Sequence, residues 1–86
     1  MNVMELRFLR DTDGREVDFV VLKDGKPLFA VECKAGEDAT SPALKYFSER
    51  TPIPKLYQVH LGERRSSFGK ITVLPFTDFC VETAMP

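Results

Sequence analysis

Several features that define large classes of small proteins are missing from this sequence. Its two cysteines, Cys33 and Cys80, form no CxxC or Cys–His spacing, so we expect reduced thiols and neither a disulfide scaffold nor a zinc site. No apolar run approaches the roughly 18 residues of a membrane span. The formal net charge is only −1, so binding to nucleic acid must rest on a local basic patch. We therefore expect a cytoplasmic protein that makes no contact with a membrane.

What the sequence does contain is typical of one small soluble domain. The apolar fraction of 43% and the charged fraction of 29% argue against disorder. The 86 residues make one domain at most, residues 1–86. A chain of this length buries only about 60–65% of its unfolded surface, so its core is small.

Alternating apolar residues and turn signals predict the element order βββαββ. The predicted strands cover residues 5–10, 15–22, 28–34, 55–61 and 70–74. Short turns at residues 11–14 and 23–27 predict that the first three strands form an antiparallel meander. Ser41-Pro42 is typical of an N-cap followed by proline at the first helical position, and predicts a helix ending near Arg50. Residues 77–83 predict a short final helical turn, which gives an α/β (α+β) domain.

Charged residues stand inside two of these apolar strands, where an unpaired charge is costly. In an antiparallel hairpin, the numbers of two residues that lie opposite each other add up to a constant, which defines the register. If this sum is 50 for the second and third strands, Asp18 lies opposite Glu32, and Lys34 is on the same face of the sheet. The other face is then apolar. A two-residue turn at Asp24-Gly25 gives a sum of 49 instead, which places Glu32 among apolar side chains. We favour the sum of 50 because it separates charged from apolar residues.

The same reasoning extends to the first strand. If opposite residue numbers on the first and second strands sum to 25, Leu6 and Phe8 lie on the apolar face and Arg7 lies opposite Asp18. The charged face then also carries Glu16 and four apolar residues, so part of it is expected to be covered. These apolar residues are Val20, Leu22, Leu28 and Ala30.

Two carboxylates on adjacent strands form a hard oxygen site suited to Mg²⁺ or Mn²⁺. Such a metal ion polarises a phosphoryl oxygen, and a lysine two residues after the second acid can orient water or offset negative charge. The spacing of Asp18, Glu32 and Lys34 therefore predicts a metal-dependent site that cleaves phosphodiester bonds. The alternative is an ion-paired strand surface, with Glu16–Lys34 or Arg7–Asp18 as cross-strand pairs.

These residues resemble the PD-(D/E)XK nuclease-like superfamily, which has the restriction-endonuclease-like fold with a mixed sheet. The matching segments are Gly-Arg-Glu-Val-Asp at residues 14–18 and Val-Glu-Cys-Lys at residues 31–34. The resemblance implies that Asp18 and Glu32 hold a Mg²⁺ or Mn²⁺ ion, helped by the backbone carbonyl of Cys33. It also implies that Lys34 is the catalytic lysine and that DNA is the substrate.

More narrowly, residues 5–80 resemble the C-terminal domain of certain bacterial and archaeal AAA-type ATPases. This implies an ATPase domain in the same or a neighbouring chain as a partner. The superfamily core begins with a helix, often bearing another acid, that has no counterpart here before the first strand. We expect either a fragment of a longer ATPase or a stand-alone remnant, with Glu16 or Glu5 as an accessory acid. Without that layer, a homodimer is expected to form through the uncovered sheet face or through an edge strand. Burial of Val20, Leu22, Leu28 or Ala30 against the partner chain would be its structural sign.

Two further groups of residues have competing interpretations. Arg64, Arg65 and Lys70 lie around Ser66-Ser67 and predict phosphate contacts at a hairpin tip, with a solvated loop as the alternative. His60, the sole histidine, is expected to be a packed residue rather than a general base. For the whole domain, the alternative to a nuclease is a catalytically inactive interaction or oligomerisation module.

Overall fold

The computed structural model describes residues 4–10, 16–34, 36 and 40–83, which form a six-stranded mixed sheet with one helix on each face. The sheet order is β1-β2-β3-β4-β6-β5. The predicted α/β class is confirmed. The elements in chain order are β1 (Met4–Arg10), β2 (Glu16–Lys23), β3 (Lys26–Cys33), α1 (Pro42–Arg50), β4 (Leu56–His60), β5 (Ser66–Phe68), β6 (Ile71–Pro75) and α2 (Phe76–Thr83).

The predicted order lacks one strand, β5, which pairs antiparallel with β6 at the edge of the sheet. Its sequence is Ser-Ser-Phe, and Phe68 is 71% exposed, so no alternation of buried and exposed residues marks it as a strand. Tertiary pairing with β6, rather than local sequence, makes this segment extended. The predicted turn at residues 11–14 lies outside the described residues.

The hairpin between β2 and β3 contains both registers considered from the sequence. Asp24-Gly25 forms a two-residue turn with φ values of 53° and 80°, as a type I′ turn requires. Lys23 therefore lies opposite Lys26, a sum of 49. A β-bulge after this turn shifts the pairing, and Phe19 lies opposite Val31, a sum of 50. The favoured register is thus confirmed beyond the bulge and wrong at the turn.

The predicted pairing of β1 is wrong by two residues at its start. Leu6 lies opposite Val21 and Arg7 opposite Val20, a sum of 27 rather than 25. A bulge between Arg7 and Leu9 then reduces the sum to 26. A shift of two residues leaves every side chain on the same face of the strand, so the hydrophobic pattern cannot detect it.

Helix α1 covers the sheet face that was expected to be open. It connects the parallel strands β3 and β4, and such a crossover must pass over one face of the sheet. Val20 and Ala30 are 6% and 0% exposed beneath it, so the prediction that they form a dimer surface is wrong. The core on this face consists of Val20, Ala30, Leu44, Phe47, Ile53, Leu56, Ile71 and Val73.

Helix α2 covers the opposite face, where the predicted final helical turn is a full structural layer. Phe79 packs into a buried cluster with Val31, Tyr57, Val59 and Leu74. Its ring meets that of Tyr57 edge-on, with centroids 5.2 Å apart. Such aromatic pairs add to the free energy gained by burial. The sheet is therefore buried on both sides at its centre.

The start of α1 is anchored to the middle of β4. The buried Ser41 side chain accepts the N–H groups of Ala43 and Leu44 at 3.2 and 3.4 Å. Its own N–H donates to the Gln58 side-chain oxygen at 2.7 Å. Pro42 has no N–H to leave unpaired in this first turn. The helix entry is thus fixed to the sheet by a side chain from β4.

We predict that Ser41→Ala lowers the free energy of unfolding by about 1 kcal/mol, because two helix-terminal N–H groups lose their acceptor. Urea unfolding followed by circular dichroism measures this change. The matched control is Ser48→Ala on the same helix, where the hydroxyl only donates to the Lys45 carbonyl. Equal effects of the two substitutions would contradict a capping role for Ser41.

Candidate functional site

The two predicted acids approach each other at one end of β2 and β3. Phe19 and Val31 are paired, so Asp18 and Glu32 occupy the next position of this register. Glu32 is also paired with Gln58 of the parallel strand β4. Because side chains alternate between faces, Asp18, Glu32 and Gln58 lie in a row across three strands, on the α1 side.

The Asp18 carboxylate is held in place by the backbone of β3. Its Oδ2 accepts the N–H of Cys33 at 2.7 Å, a short charge-assisted hydrogen bond. The residue as a whole is exposed to solvent. This contact crosses the strand pair at the position of the Glu-x-Lys motif and orients the carboxylate toward it.

The Glu32 carboxylate has an unusual environment for a charged group. Its Oε2 is buried, yet it has no hydrogen-bond partner among the described residues. Leaving a buried acceptor unpaired costs about 1–3 kcal/mol, and more for a charged group. Buried carboxylates are normally paired with a donor or coordinate a metal ion. The Oε2 of Glu32 therefore has no donor in the part of the chain that the structure describes, which makes this oxygen suited to accept a cation.

Cys33 and Lys34 complete the motif in different ways. Burial, together with the carboxylates of Asp18 and Glu32, raises the pKa of the Cys33 thiol, so the sulfur stays protonated at neutral pH and is a poor metal ligand. Its backbone carbonyl remains the relevant oxygen donor. Lys34 is half-buried, and its N–H donates to the Val59 carbonyl at 2.8 Å, which fixes its backbone to β4.

Gln58 is a site residue that the sequence analysis missed. It is fully buried, its Oε1 accepts the Ser41 N–H, and it neighbours Glu32 in the sheet. An amide at an inward position of an otherwise apolar strand was the available signal, because buried amides need hydrogen-bond partners. Gln58 thus connects Asp18 and Glu32, called the acidic row below, to the start of α1.

The two predicted accessory acids are placed differently. Glu5 lies opposite Leu22, four residues along β2 from Asp18, a separation of about 13 Å at the strand rise. The structure therefore does not bring Glu5 to the acidic pair. The Glu16 backbone pairs with Arg10, and its side chain lies outside the described residues.

The basic residues near β5 have partners within the fold. Arg65 forms hydrogen-bonded ion pairs with Asp78 at 2.9 Å and Glu82 at 3.3 Å, which connect β5 to α2. The hydrogen bonds that it donates, first to Asp78 and then to Glu82, raise the pKa of its guanidinium. Lys70 donates to the Thr51 carbonyl at 3.2 Å. Arg65 and Lys70 thus have partners within the fold, while Arg64 is exposed.

His60 is a packed residue, as expected. It is 1% exposed, and its Nδ1 accepts the Gly62 N–H at 2.9 Å. The Nε2 therefore carries the proton and donates to the Arg64 carbonyl at 2.7 Å. Both ring nitrogens hold the turn after β4, so neither is available as a general base.

The donor set fits a hard cation. The described residues contain no group of three or more His, Cys, Asp or Glu side chains that could enclose a metal ion. What they offer is two carboxylates and a neighbouring backbone carbonyl, all oxygen donors. Mg²⁺ accepts such sparse coordination because it keeps several water ligands and binds substrate phosphate. Zn²⁺ sites usually include histidine or cysteine ligands, whereas this position offers mainly oxygen donors.

These features define a small mixed α/β domain with an acidic row at one end of its central strands. The chain belongs to the family described as a domain of unknown function, DUF4143, whose model matches residues 2–79. Domains of this family often occur with AAA-type ATPases. No curated protein and no solved structure gives a significant match to the chain. In the part of the chain that the structure describes, neither helix is long and apolar enough to cross a membrane.

We predict that Glu32→Met raises the free energy of unfolding by roughly 1 kcal/mol in metal-free buffer, because it removes an unpaired buried oxygen and keeps a similar volume. Thermal unfolding in EDTA measures the change. The matched control is Glu49→Met, an exposed position where the effect stays within about 0.5 kcal/mol. Destabilisation by Glu32→Met alone would show that the carboxylate has a stabilising partner.

Proposed function

We propose that this domain binds Mg²⁺ or Mn²⁺ through Asp18 and Glu32 and hydrolyses phosphodiester bonds in DNA. The observation that supports this most directly is the buried Glu32 oxygen without a donor among the described residues. Asp18 lies at the adjoining strand position, held by the Cys33 N–H. The resemblance to PD-(D/E)XK nucleases attaches the same roles to these residues.

The residues divide the work by their chemistry. Asp18 and Glu32 supply carboxylate oxygens to the metal ion, and the backbone carbonyl of Cys33 supplies a third. A divalent ion bound by these oxygens would polarise a phosphoryl oxygen and lower the pKa of bound water. Lys34 offsets the negative charge that develops on the phosphoryl group, or orients the attacking water. Membership of DUF4143 supports an AAA-type ATPase domain, in the same or a neighbouring cytoplasmic chain, as the partner.

We predict that DNA cleavage requires Mg²⁺ or Mn²⁺, is abolished by EDTA, and fails with Ca²⁺, whose looser coordination tolerates poor geometry. Asp18→Ala, Glu32→Ala and Lys34→Ala should each lower the rate at least about 100-fold. Cleavage of a labelled oligonucleotide measures the rate, and calorimetry measures Mg²⁺ binding.

The two measurements separate the roles of these residues. Asp18→Ala and Glu32→Ala should lose Mg²⁺ binding, whereas Lys34→Ala should keep it and lose only cleavage. Glu49→Ala, which removes an exposed carboxylate of α1, serves as the matched control and should change neither. Cleavage that persists in EDTA, or Mg²⁺ binding that survives Asp18→Ala, would refute the proposal.

A second candidate function is an inactive oligomerisation module, and the exposed edge of the sheet favours it. β1 is an edge strand, with Met4 and Leu6 56% and 66% exposed. Leu28 of β3 is also exposed and lines the same open groove. Unpaired backbone groups beside apolar side chains are suited to pairing with another strand. The homodimer then forms through β1 rather than through the face that α1 covers.

We predict that the chain is a dimer at high concentration and that Leu6→Lys shifts it toward the monomer, because a charge on an edge strand opposes edge-to-edge pairing. Light scattering over a concentration series measures the mass. Val81→Lys is the matched control, because this residue is 83% exposed and lies on helix α2 rather than on a strand. A monomer of 9.8 kDa at every concentration would exclude the dimer.

A further inference from the structure

Three parallel strands end at the same edge of the sheet. β3, β4 and β6 run parallel, and β2 runs antiparallel to β3, so its first residues reach this edge too. Ligands of open α/β sheets bind outside the carboxyl ends of parallel strands. The acidic row therefore lies beside the position where such a sheet offers room for a ligand.

A pocket of about 320 Å³ is open at this edge. Its volume lies at the lower end of the range for small-ligand sites. It is contiguous with the candidate site, because Cys33 and Lys34 form part of its wall. The lining consists of Cys33, Lys34, Val59, His60, Leu61 and Phe76.

The pocket presents apolar surface and few hydrogen-bonding groups. Phe76 is 51% exposed and Leu61 is 78% exposed, although both are large apolar residues next to buried strands. Both ring nitrogens of His60 are already occupied by Gly62 and Arg64. A planar ligand here would be bound by stacking and apolar contact rather than by hydrogen bonds to the polar groups along the edge of its ring.

We propose that this pocket binds one unstacked nucleobase of a single strand, against Phe76 and Leu61, while its phosphate lies at Lys34 and the acidic pair. The inference rests on the proposed function and specifies its substrate. Stacking on an aromatic ring accepts any base because every base has a π-face. In an intact duplex the bases are stacked on each other, and extruding one costs a few kcal/mol. The domain should therefore prefer single strands, with little dependence on sequence.

The experiment uses the ¹⁵N-labelled chain and two probes. A thymidine pentanucleotide and a blunt duplex long enough to stay paired at the temperature of the measurement are compared by fluorescence anisotropy in Ca²⁺, which should permit binding without cleavage. Thymidine alone is added in EDTA, where only the base contact is tested, and amide shifts are followed by NMR. We expect the pentanucleotide to bind more tightly than the duplex, and thymidine to shift the amides of Leu61 and Phe76.

Phe76→Ala should weaken pentanucleotide binding at least about five-fold, the effect expected for loss of one stacked base. Leu61→Ala should weaken it by a smaller factor. Phe68→Ala is the matched control, since this phenyl ring is 71% exposed on β5 but does not line the pocket, and should change binding less than two-fold. Circular dichroism verifies that each variant is folded.

The outcomes separate this inference from the proposed function. Thymidine shifts at Leu61 and Phe76 without any Mg²⁺ binding would support the base pocket and refute the nuclease. Mg²⁺ binding with equal affinity for duplex and pentanucleotide would refute the base pocket and leave the nuclease intact. Equal effects of Phe76→Ala and Phe68→Ala would also refute it.

Discussion

The pairing register of β2 and β3 is the constraint on which the candidate site depends. The type I′ turn at Asp24-Gly25 would by itself align the strands one residue away from the observed register. The β-bulge restores the alignment, and with it the assignment of Glu32 to the face of Asp18. Without it, Glu32 would point among the apolar residues that pack against α2, and a buried carboxylate there would have no second acid beside it. The one extra residue in the hairpin thus determines whether Glu32 lies beside Asp18 or is buried alone on the opposite face.

The crossover through α1 determines what surrounds that row. It makes β3 and β4 parallel, so Glu32 and Gln58 come into register and the Gln58 amide can hold the first residue before the helix. The same geometry collects the ends of several strands at one edge of the sheet. The burial that results leaves one Glu32 oxygen without a donor among the described residues, a local cost in stability. Native folds violate the rule of polar satisfaction mainly at functional sites, which is why this atom carries weight in the proposal.

Short-range signals in the sequence predicted the structure correctly where it depends on residues within a single element. Ser41-Pro42 marked the start of α1, and the alternation in β2 and β3 placed Asp18 and Glu32 on one face. These sequence signals failed where the structure of a segment depends on the strand with which it pairs. The two-residue offset at the start of β1 keeps residues 4–6 on the same faces, so no alternation there could reveal it. Strand β5 exists because β6 offers an unpaired edge, and its own three residues carry no strand signal.

The sequence by itself therefore determined the kinds and the order of the elements other than β5. It also determined the chemistry available to them: two acids and a lysine in strands that otherwise favour apolar residues. Only the tertiary structure decided which groups have partners. It covered Val20 and Ala30 with α1, paired Arg65 with acids of α2, and left Glu32 beside Asp18 without a donor in the described part of the chain. The physical reason is the separation along the sequence of the residues that interact. Alternation and capping act within a few residues, whereas hydrogen bonding and burial of a side chain depend on strands and helices that meet only after the chain has folded.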